Sequence, residues 1–178
     1  MKLVNDGENN TITITQKIKK IGQILVKHKL MLVTAESCTG GGLSYYFTSV
    51  SGSSKWFERG FVVYSNLAKS ECLQVLQKTI SQYGAVSKNV VIQMAAGALK
   101  NSCADISIAI TGIAGPKGGS LKKPVGTVWF AIGLKNGYRS RKIITFHQQF
   151  SGNRKAVIEK SILFIISKLF DSLMLRID

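Results

Sequence analysis

Apolar residues recur every three or four positions at Ile14, Ile18, Ile21 and Leu25, with Lys17, Lys19, Lys20 and Lys27 mostly between them. That period predicts an amphipathic helix of about four turns. The pattern then changes. "LMLVTAE" is a short apolar run and predicts a buried strand, and the glycines at 40–42 open a helix through "LSYYFTSV". "VSGSS" is a loop, "ERGFVVYS" a second strand and "NLAKSECLQV" a helix. "AVSKNVVIQMAAGALKNS" predicts a longer helix with Ser87 as N-cap. "DISIAITGIAG" is a strand running into glycine, and "PKGGSLKKP" carries strong turn signals. "VGTVWFAIGL" and the stretch around "RKIITFHQQF" predict a hairpin turned at "NG", and a last helix runs from about Asn153 to Leu175.

Early strands alternate with helices, and the last strands form a hairpin. The expected fold is therefore α/β: a three-layer α/β/α sandwich around a mixed, mostly parallel sheet. Residues 1–10 are expected to be a frayed tail, and 11–178 one domain. Ligands in such sheets sit beyond the carboxyl ends of the strands. Three of these ends are small and polar: "TAESCTGG", "VVYSN" and "ITGIAGP". Parallel neighbours would bring all three to one mouth.

Charge changes the picture. With 24 basic and 9 acidic residues the chain carries +15, which suggests a phosphorylated small substrate or a polyanion. The lysines are scattered rather than blocked, and no motif that reads DNA or RNA is present. Nucleic acid is thus a less favoured partner than a small molecule. Three cysteines without a C-x-x-C and only two histidines argue against a disulfide framework or a zinc site. No metal or cofactor is expected. Reduced thiols suit a cytoplasm. No apolar run reaches the ~18 residues of a membrane span.

"TAESCTGG" places a hydroxyl, Ser37, beside a thiol, Cys38, at a strand-to-helix turn. Backbone N–H groups near Gly40 and Gly41 there suit an oxyanion or a phosphate. Ser37 or Thr39 as a mere N-cap is the plainer alternative. A nucleophilic serine needs a base. His28 ends the first helix, and His147 lies in a strand on an expected solvated face. "YSNLAK" offers Lys69 instead, one turn into a helix capped by Asn66, with Tyr64 at the preceding strand end. Thr111, Gly112 and Gly115 form a glycine-rich strand end without the Lys-Ser/Thr pair of a P-loop. Arg154, opening the last helix in "FSGNR", is a candidate phosphate ligand. "SLKK" at 120–123 matches S-x-x-K but lies in a Gly/Pro loop without companion motifs.

Together, "TAESCTGG", "SVSGSSKWFERGFVVYSNLAK", "YGAVS", "ITGIAGPKGGS" and "KPVGTVWFA" resemble the CinA C-terminal domain family, from about residue 14 to 170. The resemblance implies an amidase that hydrolyses nicotinamide mononucleotide to nicotinate mononucleotide and ammonia. It implies Ser37 as nucleophile, Lys69 as base, a role for Tyr64, and Thr111 at the site. It also implies a homodimer. One departure stands out: Gly152-Asn153-Arg154 replaces the family's Gly-Asp-Arg. As a helix cap, Asn serves about as well as Asp. As a charge that orients another group, it would not. Cys38, next along the strand exit, is expected to face the core.

Overall fold

The computed structural model describes residues 12–136 and 140–175. The expected tail at 1–10, and the Gly137 of the "NG" turn, lie outside the described residues. In chain order the elements are α1 (Ile14–Lys27), β1 (Leu32–Glu36), α2 (Gly42–Thr48), a 3-10 turn (Ser53–Lys55), β2 (Phe57–Val62), α3 (Asn66–Leu73), α4 (Gln77–Tyr83), α5 (Lys88–Lys100), β3 (Ile106–Gly112), β4 (Thr127–Asn136), β5 (Ser140–Gln149) and α6 (Arg154–Met174). The sheet order is β2-β1-β3-β4-β5. β1 pairs in parallel with both β2 and β3, and β4 and β5 add antiparallel.

Alternation along each strand builds two cores. Leu32, Ile106, Ile108, Ile110, Phe130 and Ile132 face α1, α2 and α6. Val33, Ala35, Ala109 and Ala131 face α3, α4 and α5. These are the three layers expected from the sequence. The α1 stripe behaves as its period predicts: Ile18, Ile21 and Leu25 are buried, and a Thr13–Gln16 capping box starts the helix. Ser87 caps α5, and α6 keeps its expected bounds.

To the second core the strands contribute the small side chains Val33, Ala35, Ala109 and Ala131, and α5 lies close to its neighbours. At Gly97 a Cβ would overlap the Leu73 carbonyl oxygen, backbone that cannot turn aside. Gly97→Ala should therefore cost about 1–3 kcal/mol by overpacking, read as a lower urea midpoint at unchanged slope.

One element is absent from the sequence reading. The helix expected over "NLAKSECLQV" stops at Leu73, and α4 follows at Gln77–Tyr83. The break falls at Gln74, which adopts φ 57 as a left-handed C-cap. Glycine is the usual residue there, so glutamine gives no warning. Nor does Leu76, the N-cap of α4, which makes no side-chain cap bond.

Topology fixes the site. The chain leaves β1 through α2 on one face, forms β2, then returns past β1 through α3–α5 on the other face to reach β3. The crevice at the end of β1 is a topological switch point.

Candidate active site

The β1 ladder closes with Val63 N–H donating to the Glu36 carbonyl (2.8 Å) and Ser37 N–H donating to the Ile110 carbonyl (3.1 Å). Ser37 is thus the first residue free of the sheet, and its side chain is only 7% exposed. Lys69 comes from α3. Helical side chains lean toward the helix N-terminus. Lys69 therefore reaches back over the end of β2, where Nζ donates to the carbonyls of Val63 and Tyr64, both at 3.0 Å. From there Nζ is 3.1 Å from Ser37 Oγ. The side chain is 1% exposed, and burial pushes its pKa below the usual lysine value. The Cys38 thiol opposes that shift more weakly.

A pocket of about 190 Å³ opens over this pair, lined among others by Ser37, Cys38, Tyr64, Asn66, Lys69, Thr111, Gly112 and Arg154. The three strand ends do converge on it. Arg154 arrives from the start of α6. Its Nη1 donates to the Gly115 carbonyl (2.9 Å) and its Nη2 to the Tyr64 hydroxyl (2.9 Å). Tyr64 is 60% exposed, so this contact fixes an otherwise free ring at the rim. Thr111 donates its hydroxyl to the Ala85 carbonyl (3.0 Å), which ties the β3 end to the loop before α5. Among the described residues, Lys69 and Arg154 are the only basic side chains lining the pocket.

Several expectations need correction. Thr39, Gly40, Gly41 and Gly115 do not line the pocket. Thr39 turns its hydroxyl onto Glu36 (2.7 Å), and Gly115 offers only a carbonyl, to Arg154. The N–H groups of Gly40, Gly41 and Gly42 are all engaged inside the turn, by Ser37 O, Glu36 Oε2 and Thr39 O. None of the three points to an oxyanion. Neither Ser37 nor Thr39 is an N-cap: Gly41 holds that position in α2. Asn66 lines the pocket but does not cap α3. Ser65 does, accepting from Ala68 N–H at 3.0 Å, which makes Asn66 the first helical residue.

Cys38 sits between two environments. It belongs to the first apolar core, as expected, yet it also lines the pocket. Its pKa is pushed up to about 12, by burial first and then by the Glu36 charge. Burial outweighs any lowering that the following helix start would bring, so the thiol stays protonated. His28 caps the C-terminus of α1, and His147 stacks on Trp129 at 4.6 Å on an exposed face. Asn153 caps α6, with Oδ1 accepting from Ala156 N–H at 3.0 Å. In this chain the family's Asp position is a cap, and Asn fills it.

Ala85 and Val86, which also line the pocket, were not singled out from sequence. Apolar residues in a short loop carry no chemical signal. The role of Glu36 carries no sequence signal either. Its five hydrogen bonds depend on groups that the fold brings round to it.

Known proteins resemble this chain in sequence and fold. The model of the CinA C-terminal domain matches residues 14–173. A protein of Escherichia coli K12 named nicotinamide-nucleotide amidohydrolase PncC is 45% identical over 161 residues, covering 90% of this chain and 95% of the relative. A Pseudomonas putida protein of the same name is 43% identical, covering 88% and 94%. The crystal structure of a CinA superfamily protein from Enterobacter cloacae superposes with a TM-score of 0.86 at 36% identity, covering 97% of this chain and 99% of that one. That of the competence/damage inducible protein CihA from Agrobacterium tumefaciens gives 0.84 at 37%, covering 90% and 94%. By motif order, by fold and by the extent of these matches, the chain belongs to the CinA C-terminal domain family.

Proposed function

We propose that this protein is an amidohydrolase that cleaves the carboxamide of nicotinamide mononucleotide, giving nicotinate mononucleotide and ammonia. The observation that carries the reading is the 3.1 Å approach of a buried lysine to a strand-end serine, in a pocket that no carboxylate lines among the described residues. Relatives of nearly equal length bear the name of that activity.

A neutral amine has two N–H donors and one lone pair. The carbonyls of Val63 and Tyr64, both at 3.0 Å, take the donors, and that of Ser65 lies farther off at 3.5 Å. The lone pair then faces the Ser37 hydroxyl, which donates to it. Burial favours this uncharged form. Ser37 Oγ attacks the carboxamide carbon while Lys69 takes its proton. The resulting oxyanion meets the backbone N–H of Cys38, next after the nucleophile and bonded to no backbone carbonyl among the described residues. Lys69 returns the proton to the departing nitrogen, and ammonia leaves an acyl-serine. Water, deprotonated by Lys69, cleaves the ester and restores both groups.

Arg154, Asn66 and Tyr64 form the rim, where the ribose phosphate of the substrate lies. Arg154 pairs with the phosphate, and Tyr64 keeps the guanidinium in place. Thr111 keeps lone pairs free to accept from the carboxamide. Gly112 has no space for a side chain: a Cβ there would meet Val128 Cγ2 at 2.8 Å and Cys38 Sγ at 3.1 Å. The protein is read as a cytoplasmic homodimer, with Cys38, Cys72 and Cys103 as free thiols.

Ammonia release from nicotinamide compounds, with and without the 5′-phosphate, tests this reading. The mononucleotide should be cleaved, and free nicotinamide at least about 100-fold less well. Arg154→Ala should raise KM for the mononucleotide and narrow that gap. No ammonia from the mononucleotide would sink the proposal.

A further inference from the structure

Glu36 is fully buried, at 0% exposed, and does not line the pocket. Its Oε1 accepts from Ser44 N–H (2.8 Å) and from the Ser44 hydroxyl (2.6 Å). Its Oε2 accepts from the Thr39 hydroxyl (2.7 Å), Gly41 N–H (3.1 Å) and Leu43 N–H (3.0 Å). Every partner donates, so the ionised carboxylate is the form that fits. The start of α2 favours the same charge. Ser44 has one hydroxyl hydrogen and gives it to Glu36. Thr34 Oγ1, 2.7 Å away, is therefore the donor to Ser44 Oγ. Gly60 on β2 makes room for this relay: a Cβ there would meet Thr34 Oγ1 at 2.9 Å and Ser44 Oγ closer still.

An ordinary cap satisfies one or two helix N–H groups. Here five donors converge, and they come from residues 39 to 44. The carboxylate itself belongs to residue 36. Ser37 and Cys38 lie in the loop thus closed.

We propose that Glu36 is a positioning residue: its carboxylate clamps the turn from Thr39 to Ser44, and so aims Ser37 Oγ at Lys69 and the Cys38 N–H at the reacting carbonyl. This rests on the reading of Ser37 as nucleophile. The clamp touches no substrate, so its loss misplaces the nucleophile and leaves the rim intact. Gln in its place would set an NH₂ against two or three donors on one side of the carboxyl group.

The test is Glu36→Gln, assayed for kcat and KM of ammonia release and for the rate at which a fluorophosphonate labels Ser37. A misplacement of about 1 Å is worth about 100-fold in rate. We expect kcat to fall by about that factor, KM to stay within about threefold, and labelling to slow in parallel. A merely structural role would reduce the number of labelled sites but not the rate at each. Thr39→Val and Gly60→Ala disturb the same clamp more gently and should each lower kcat about fivefold at unchanged KM. A folded Glu36→Gln with wild-type kcat, or a change in KM alone, overturns the proposal. Should Glu36→Gln not fold, wild-type kcat in both gentler variants overturns it, and lowered kcat supports it. If the wild-type protein releases no ammonia, the amidase reading fails instead, and the labelling rates still decide the clamp.

Discussion

Ser37→Ala should lower ammonia release by about 10⁴-fold or more, the loss seen when an activated nucleophile is removed, while leaving mononucleotide binding measurable. Ser37 Oγ is the nucleophilic atom within reach of Lys69 Nζ, at 3.1 Å. The neighbouring thiol is no substitute. Cys38 is held protonated by burial, with its pKa pushed up to about 12. A protonated thiol is a poor nucleophile, whatever its intrinsic advantage as a thiolate. Cys38→Ala should cost less than about tenfold, the effect of a small packing defect in the first core. Full activity in Ser37→Ala, or a 10⁴-fold loss in Cys38→Ala, would reverse the assignment.

Lys69→Met should lower kcat by about 10³-fold, within the range for loss of a general acid–base. Methionine preserves the buried stem and removes the amine. Lys69→Arg should not rescue, because guanidinium does not give up its proton in a protein. The pH profile gives a second readout. In the proposed mechanism Lys69 is a neutral base, and burial lowers its pKa from the ordinary 10.5. Wild-type activity should therefore rise with pH through that lowered value, and residual activity of Lys69→Met should lack the step. Stability follows the same sign. The unfolded chain holds the lysine proton up to the ordinary value, whereas the folded chain has already released it. Between the two the unfolded state binds more protons, so stability climbs with pH. Below the lowered value both states are charged, and the fold bears the cost of a buried ammonium. Urea titrations across that window should show the climb in wild type and not in Lys69→Met. A pH step that survives in Lys69→Met would place the base elsewhere.

Much of this site was legible because its chemistry is local. Ser37 leaves β1 ahead of α2 and Lys69 lies in the first turn of α3 after β2, and such positions face the crevice of a parallel sheet. Arg154 was legible for the same reason. Small residues beside a strand-end serine need not face a ligand. Thr39, Gly40 and Gly41 instead serve Glu36 and the turn. A hydroxyl or an N–H looks alike in sequence whether it faces a ligand or a buried carboxylate. Asn66 and Ser65 show the problem at the scale of one residue. Either can cap a helix, and only the backbone path decides which one does.

Hydrophobic period and turn chemistry, both properties of neighbouring residues, were sufficient for the layers, the cap at Ser87 and the polar strand ends. Strand order, the left-handed break at Gln74, the hydrogen bonds that converge on Glu36 and the burial of Lys69 are visible only in three dimensions. Each depends on groups far apart in the chain, or on exclusion of water. Burial is a property of the assembled core: the same lysine in a solvated helix would remain an ammonium ion and leave Ser37 inert.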